Sequence, residues 1–352
     1  MKAILLAGGK GTRLRPLTLH TPKPIVPIFD RPFLHYQIDL LRQVPEIDEV
    51  ILSLNYQPRR IEEIFGDGRE AGMKIRYVVE PMPLGTAGAV KYAEQYLDDS
   101  VVVFNGDVLT EIDLPAVIRL HRERQAKATI VLTPVENPTA YGLVETDPEG
   151  RVRRFLEKPK PDEITCNTIN AGIYVLEPHT FDRIPSDTTW SIERSYFPSL
   201  VERGETFVAY VYEGYWIDIG TPAKYRQVHH DVMDGRFAVP ARAIGKDGAA
   251  TIAANARVEP GAEVVGPCFI DADAVVKAGA RVGPYSVIGR HVHIEEGARL
   301  EDSIVWANSW VGRDAEVRGA ILGRNCHVGR SAVVRPDAVL GDKTVLTDFS
   351  CA

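Results

Sequence analysis

Residues 280–300 read "ARVGPYSVIGRHVHIEEGARL". Aliphatic residues stand six apart at Val282, Ile288, Ile294 and Leu300, and a mostly small residue stands two places before each, at Ala280, Ser286, Val292 and Ala298. Outward from there, the hexad runs back through Val276, Ile270, Val264 and Val258 to Ile252. Forward, the frame slips by one and resumes at Val305, Val311 and Val317, then slips again and runs through Leu322, Val328, Val334, Leu340 and Leu346. Chance alternation does not sustain a hexad over that length. A hexapeptide repeat implies a parallel β-helix with one short strand per hexad. The aliphatic residue fills the interior of the prism, and the small one fits a tight corner. An isolated hexad cannot bury its apolar residue, so the stacking of coils supplies the core.

Up to about residue 233 the pattern is different. "KAILLA", "EVILSLN", "KIRYVVE", "VVVFNGD" and "ATIVLTPV" read as strands. Between them, "FLHYQIDLLRQV" (33–44), "QPRRIEEIFG", "TAGAVKYAEQYL" and "DLPAVIRLHRER" read as helices. This alternation predicts a mixed, mostly parallel α/β sheet with helices on both faces, in the Rossmann-like manner. Ligands of such sheets bind beyond the carboxyl ends of strands. The expected domains are 1–233 and 251–352, joined by a connector at 234–250, where Gly235, Pro240, Gly245 and Gly248 interrupt both patterns.

The net charge of −7 argues against a nucleic-acid partner. The four cysteines form no C-x-x-C pair, as expected of a chain in a reducing cytoplasm. No stretch approaches the ~20 apolar residues of a membrane span, and the opening strand leaves no expected room for a targeting segment.

The first strand runs into "LAGGKGTRLRPLT" and then "PKPIVPI". A Walker loop needs Gly-Lys-Ser/Thr, but here Lys10 precedes Gly11; a dinucleotide fingerprint needs a third glycine where Leu14 stands. Neither signature fits. What remains is a glycine turn beside Arg13 and Lys23, which brings backbone N–H groups and two fixed charges to a polyphosphate. At the end of another strand, Asp107 has the position of a carboxylate that reaches a phosphate-bound magnesium ion.

The order of these motifs resembles that of the nucleoside-triphosphate:sugar-1-phosphate nucleotidyltransferases, across the whole first half of the chain. Within that group, "LGTAG" (84–88), "INAG" (169–172) and "WIDIG" (216–220) are similar to the wording of bacterial mannose-1-phosphate guanylyltransferases. The hexads likewise resemble the left-handed β-helix family. The resemblance implies a nucleotide site at Ala7, Gly8, Gly9, Gly11, Thr12, Arg13, Asn105 and Gly106. It also implies a nucleobase segment around Glu80, Leu84, Gly85, Thr86 and Ala87. Guanine N1–H and N2–H need an acceptor, from Glu80 or from carbonyls near Leu84, and this choice stays open. By the same resemblance, Asp107 and Asp218 share Mg²⁺, Lys158 holds the sugar phosphate, and Glu157 and Asn170 bind its hydroxyls. Gly172 leaves room for the ring, as Gly142 beside Tyr141 does.

The expected reaction joins GTP, or another nucleoside triphosphate, to a sugar 1-phosphate and releases pyrophosphate. Arg13, Lys23 and Lys158 are its expected catalytic cations. A phosphate monoester is already an anion, so positioning and charge suffice. Mannose 1-phosphate is the first expectation. Glucose 1-phosphate with UTP, dTTP or ATP, and a manno-heptose phosphate with GTP, are the alternatives. A regulatory subunit that acts by protein contacts is the reading from another class, and the presence of Arg13, Lys23, Asp107, Lys158 and Asp218 speaks against it. The β-helix is expected to serve homo-oligomerisation, with exposed Trp306 and Trp310 marking a contact patch. A second, acyl-transfer activity would draw its base from His291, His293 or His327.

Overall fold

The computed structural model describes residues 1–239 and 244–352 (Lys246 by its backbone alone). The chain divides into two compact units: Met1–Gly9 with Leu34–Trp216, and Lys10–Phe33 with Ile217–Ala352. These units are drawn by packing. The boundaries 1–233, 234–250 and 251–352 mark changes of periodicity, and we propose them as the domain boundaries; Pro240 of the connector lies outside the described residues.

In the first unit, strand Lys2–Leu6 lies between Val101–Asn105 and Glu49–Leu54, parallel to both, with Lys74–Val79 parallel beyond. Ile4 faces Val103 on one side and Ile51 on the other, and all three are fully buried. Such continuous apolar runs belong to strands covered on both faces. Antiparallel pairing enters with Thr168–Leu176, which lies against Val101–Asn105 and Ala128–Pro134. Phe207–Val211 then adds in parallel beyond Ala128–Pro134, while Gly142–Thr146 and Val152–Glu157 form an antiparallel pair. Helices Leu34–Leu41, Pro58–Phe65, Gly85–Ala93 and Leu114–Glu123 fall one in each segment expected to be helical, and the short helix Phe197–Glu202 is one the sequence reading did not mark. Helix Leu114–Glu123 shows the rule well. Asp113 caps it by accepting from the Ala116 N–H at 3.0 Å, and Leu114, Val117, Ile118 and His121 form its buried stripe.

Strand Thr168–Leu176 is interrupted where it matters. Asn170 pairs with Leu132 and Tyr174 with Ile130, so four residues on one strand span two on the other. This bulge holds the "INAG" segment, with Gly172 at φ +75°.

The second unit contains the β-helix. Three sheets of parallel two- or three-residue strands stack coil upon coil, as the hexads predict for a left-handed β-helix. The repeat is 18 residues where Val275 pairs with His293, and 17 where Val287 pairs with Ile304 and Val305 with Leu322. The frame slips are therefore corners one residue short, with Asp302 and Gly319 in the left-handed region. Ile270, Val276, Val282, Ile288 and Ile294 are fully buried along the axis. The small corner residues do more than fit. Ser309 Oγ donates to the Gly323 carbonyl at 2.9 Å and accepts from the Cys326 N–H at 3.0 Å, tying successive coils together.

Residues 10–33 and helix Pro222–Met233 pack on this solenoid. Arg324 donates to Thr21 Oγ1 at 2.6 Å, Phe29 meets Phe269 edge-on, and Arg226 and His230 pair with Asp337 and Asp302. Trp306 is buried in this contact, its Nε1–H donating to Tyr225 Oη at 2.9 Å. The expectation of an exposed Trp306 is thus overturned, because Tyr225 of the helix packed on the solenoid and the Arg324 guanidinium cover its ring. Trp310 is partly exposed and stacks on His293, while His291 and His327 are exposed. Among the described residues, no helix is long and apolar enough to cross a membrane.

His229 carries a pH expectation. It is fully buried, accepts from the Phe29 N–H at 3.2 Å and has its other ring nitrogen 2.9 Å from the Tyr225 carbonyl. Burial pushes its pKa down to about 4. The unfolded chain binds this proton near pH 6.5 and the folded one does not, so stability falls as pH drops through that window. At pH 5 the expected loss from this residue is about 2 kcal/mol relative to pH 7. Denaturant unfolding of the protein and of His229→Gln at both pH values checks it: the variant should lose about that much less.

Candidate active site

In the first unit, the turn after Val101–Asn105 carries Asn105, Gly106 and Asp107. The Gly106 N–H donates to the Leu6 carbonyl at 3.0 Å, close to where the glycine loop begins. Buried Gln37 staples this turn from below, donating to the carbonyls of Asn105 and Val108 at 2.9 Å each. Nothing in the spacing of its helix marked Gln37 for this task.

The bulge brings three predicted residues to the same place. A Cβ on Gly172 would stand 2.8 Å from Asn105 Nδ2. Asn170 accepts from the Gly172 N–H and donates to Tyr174 Oη, both at 2.8 Å, so its amide orientation is set from two sides. Tyr174 is fully buried, and burial with Glu193 nearby holds its phenol well above the ordinary range. Trp216 donates to the Ala171 carbonyl at 2.9 Å and meets the Tyr141 ring edge-on. Gly142 lies against Phe155 and Glu157, and the Lys158 N–H donates to the Tyr141 carbonyl at 2.9 Å with Lys158 at φ +54°. Glu157, Lys158, Tyr141 and Gly142 therefore form one neighbourhood. Burial first and Glu193 second push the Glu157 carboxyl up, against the pull of Lys158 and Arg194.

The "LGTAG" segment is built differently from a simple capped helix start. Thr86 makes no cap; its hydroxyl accepts from the Ile192 N–H at 2.8 Å and donates to Glu193 at 2.9 Å. The N–H groups of Ala87 and Gly88 donate to the Trp190 carbonyl at 3.0 and 3.2 Å. Gly85, at φ +72°, and Gly88 are bare because the 188–190 backbone passes within 2.8 Å of where their Cβ atoms would be. Glu80 is buried; its two oxygens accept from Ser53 Oγ and the Leu84 N–H, each at 2.9 Å, and a Cβ on Gly8 would touch it at 3.4 Å. Glu193 and Trp190 are the residues that sequence reasoning missed here.

In the second unit, Gly11 sits in the left-handed region at φ +58°, and its carbonyl accepts from Thr18 Oγ1 at 2.7 Å. A Cβ there would meet Lys23 at 3.3 Å, so the turn and this lysine are neighbours. Thr12 and Arg13 follow in an exposed short helical turn. Asp218 is 8% exposed and ion-paired with Lys224. Gly220 accounts for the last letter of "WIDIG": a Cβ there would stand 2.8 Å from both Arg13 Nη2 and Asp218 Oδ2. Arg13 and Asp218 thus flank one bare glycine. Among the described residues, no group of three or more His, Cys, Asp or Glu side chains is arranged to hold a metal by itself. Single carboxylates nevertheless suit magnesium, which keeps water and phosphate oxygens as its other ligands.

A family profile described as "Nucleotidyl transferase" matches residues 2–235, and one described as "GMPPB C-terminal domain" matches residues 264–351. Mannose-1-phosphate guanylyltransferase of Mycobacterium tuberculosis is 40% identical over 86% of this chain and 82% of its own length. Probable mannose-1-phosphate guanylyltransferase 2 of Arabidopsis thaliana is 37% identical over 99% and 98%. UTP–glucose-1-phosphate uridylyltransferase of Synechocystis is 34% identical over 93% and 88%. Among solved structures, HddC from Yersinia pseudotuberculosis, also seen complexed with GMP-PN, superposes with a TM-score of 0.56 at 30% identity, over 64% of this chain and 96% of its own. With a profile match over most of the first 235 residues and relatives similar along nearly the whole length, the chain belongs to the nucleotidyl transferase family.

Proposed function

We propose that this enzyme, a sugar-1-phosphate nucleotidyltransferase, joins GTP to mannose 1-phosphate, giving GDP-mannose and pyrophosphate. The observation that carries the reading is similarity over 99% of the chain to a protein described as a mannose-1-phosphate guanylyltransferase. In this reading Lys158 holds the sugar phosphate, and one of its oxygens attacks the α-phosphorus of the nucleotide. Pyrophosphate leaves toward Arg13 and Lys23, whose charges offset the charge that builds on it. Glu157 and Asn170 bind sugar hydroxyls, and Gly142 and Gly172 leave room for the ring. The loop from Ala7 to Arg13, with Asn105 and Gly106, receives the nucleotide. Glu80 keeps a second lone pair on each oxygen, the acceptor that guanine N1–H and N2–H need. Because Ala87 and Gly88 spend their N–H groups on Trp190, the LGTAG segment acts as a shaped wall rather than as a set of donors. Asp107 and Asp218 would hold Mg²⁺, which supplies neutralisation of phosphate charge. A cytoplasmic, homo-oligomeric enzyme completes the proposal; the four free cysteines fit it.

The Synechocystis relative favours a second reading, UTP with glucose 1-phosphate. Pyrophosphate release, measured for each of four nucleoside triphosphates with mannose, glucose and manno-heptose 1-phosphates, separates the two. GTP with mannose 1-phosphate should give the highest kcat/KM. A higher value for UTP with glucose 1-phosphate moves the assignment there, and no turnover with any pair moves the chain to the regulatory class.

A further inference from the structure

The carboxylate of Asp218 already has a cation of its own. It is 8% exposed, and a charge so far removed from water is costly unless it is paired. Lys224 supplies the pairing, with Nζ on Oδ1. This lysine stands in the first turn of helix Pro222–Met233, where its N–H donates to Thr221 Oγ1 at 3.3 Å. Its backbone is therefore anchored while its side chain, one-third exposed, has room to move. An ammonium on a four-carbon stem is a mobile point charge, unlike the rigid fork of Arg13 that also approaches Gly220.

We propose that Lys224 is a placeholder counter-ion: it neutralises Asp218 in the metal-free protein and leaves that oxygen when a divalent cation arrives with the nucleotide. The inference rests on the reading of Asp218 as a metal ligand. An ammonium and a divalent cation on one carboxylate oxygen repel each other, so the free ion meets an occupied ligand. A triphosphate changes the balance, because it brings anionic charge that receives the displaced ammonium. Metal alone then binds weakly and metal with nucleotide binds well, and the difference between them is a coupling that Lys224 creates.

The test uses Mn²⁺ as the probe, with free ion followed by electron paramagnetic resonance in the full-length protein. Lys224→Met should bind Mn²⁺ alone tighter than the unaltered protein by roughly tenfold or more. The factor by which GTP tightens Mn²⁺ binding should shrink to match. Lys224→Arg, which keeps a cation, should bind Mn²⁺ alone no tighter than the unaltered protein; should the methionine variant fail to fold, Lys224→Gln serves in its place. Equal or weaker binding of Mn²⁺ alone by the neutral variant overturns the proposal. Asp218→Asn separates this failure from a deeper one. If it weakens Mn²⁺ binding in the presence of GTP while the Lys224 variants change nothing, the placeholder role alone falls. If it leaves that binding unchanged, the assignment of Asp218 as a ligand falls and takes the proposal with it.

Discussion

Asp218→Asn, and separately Asp107→Asn, is expected to lower kcat by roughly 10²–10³-fold, the scale on which one well-placed charge-stabilising group acts. An amide keeps the shape of the carboxylate but removes the full charge that a hard cation requires. The melting temperature should move by only about 2–4 °C for Asp107→Asn, which lies outside the apolar core, and further for Asp218→Asn, which also breaks the buried ion pair with Lys224. The double variant is the informative measurement. If both carboxylates serve one ion, the second substitution removes something already lost, and the double variant should retain about the activity of the poorer single one. Losses that multiply would show two independent roles and end the shared-ion reading. Turnover measured by pyrophosphate release across a Mg²⁺ titration, beside a thermal melt of each variant, gives both numbers.

Gly172→Ala is expected to act through position rather than charge. The backbone there has φ +75°, and the new Cβ would stand 2.8–3.1 Å from the side chain of Asn105. The left-handed conformation costs an alanine about 1–2 kcal/mol, which the melting temperature should register. The larger effect should fall on the site. Asn105 must give way, and it belongs to the turn that ends in Asp107, while Asn170 takes its orientation from the Gly172 N–H. Misplacement of reacting groups by an ångström costs on the order of 10²-fold, so kcat/KM for the sugar phosphate should fall by about that factor. A fall confined to stability, with kcat/KM preserved, would refute the role given to the bulge.

Much of the proposed site is legible in the sequence. Gly8, Gly11, Asp107, Asn170 and Gly172 stand out because glycines and carboxylates at strand ends are chemically conspicuous, and because their order along the chain resembles a known family. The residues that support them do not. Gln37 sits in an ordinary amphipathic helix, and Glu193 lies in a turn with no signature, yet the first carries the Asp107 turn and the second joins Thr86 to the neighbourhood of Glu157. Thr86 shows the limit most clearly. Its place at a helix start suggests a cap, and only the arrival of residues 190–193 from a hundred positions away gives its hydroxyl a different partner.

The hexads determined the β-helix without help, down to the two short coils, because a six-residue repeat buries its aliphatic residue only when successive turns stack in register. The apolar strands and amphipathic helices likewise determined a layered sheet from local periodicity alone. Tertiary structure decided what periodicity does not encode. It placed residues 10–33 in the same compact unit as the β-helix, buried Trp306 against Tyr225, and gave Asp218 to Lys224. Each of these depends on contacts between distant segments, and a repeat or a motif specifies the shape of its own segment but not the partner that will cover it.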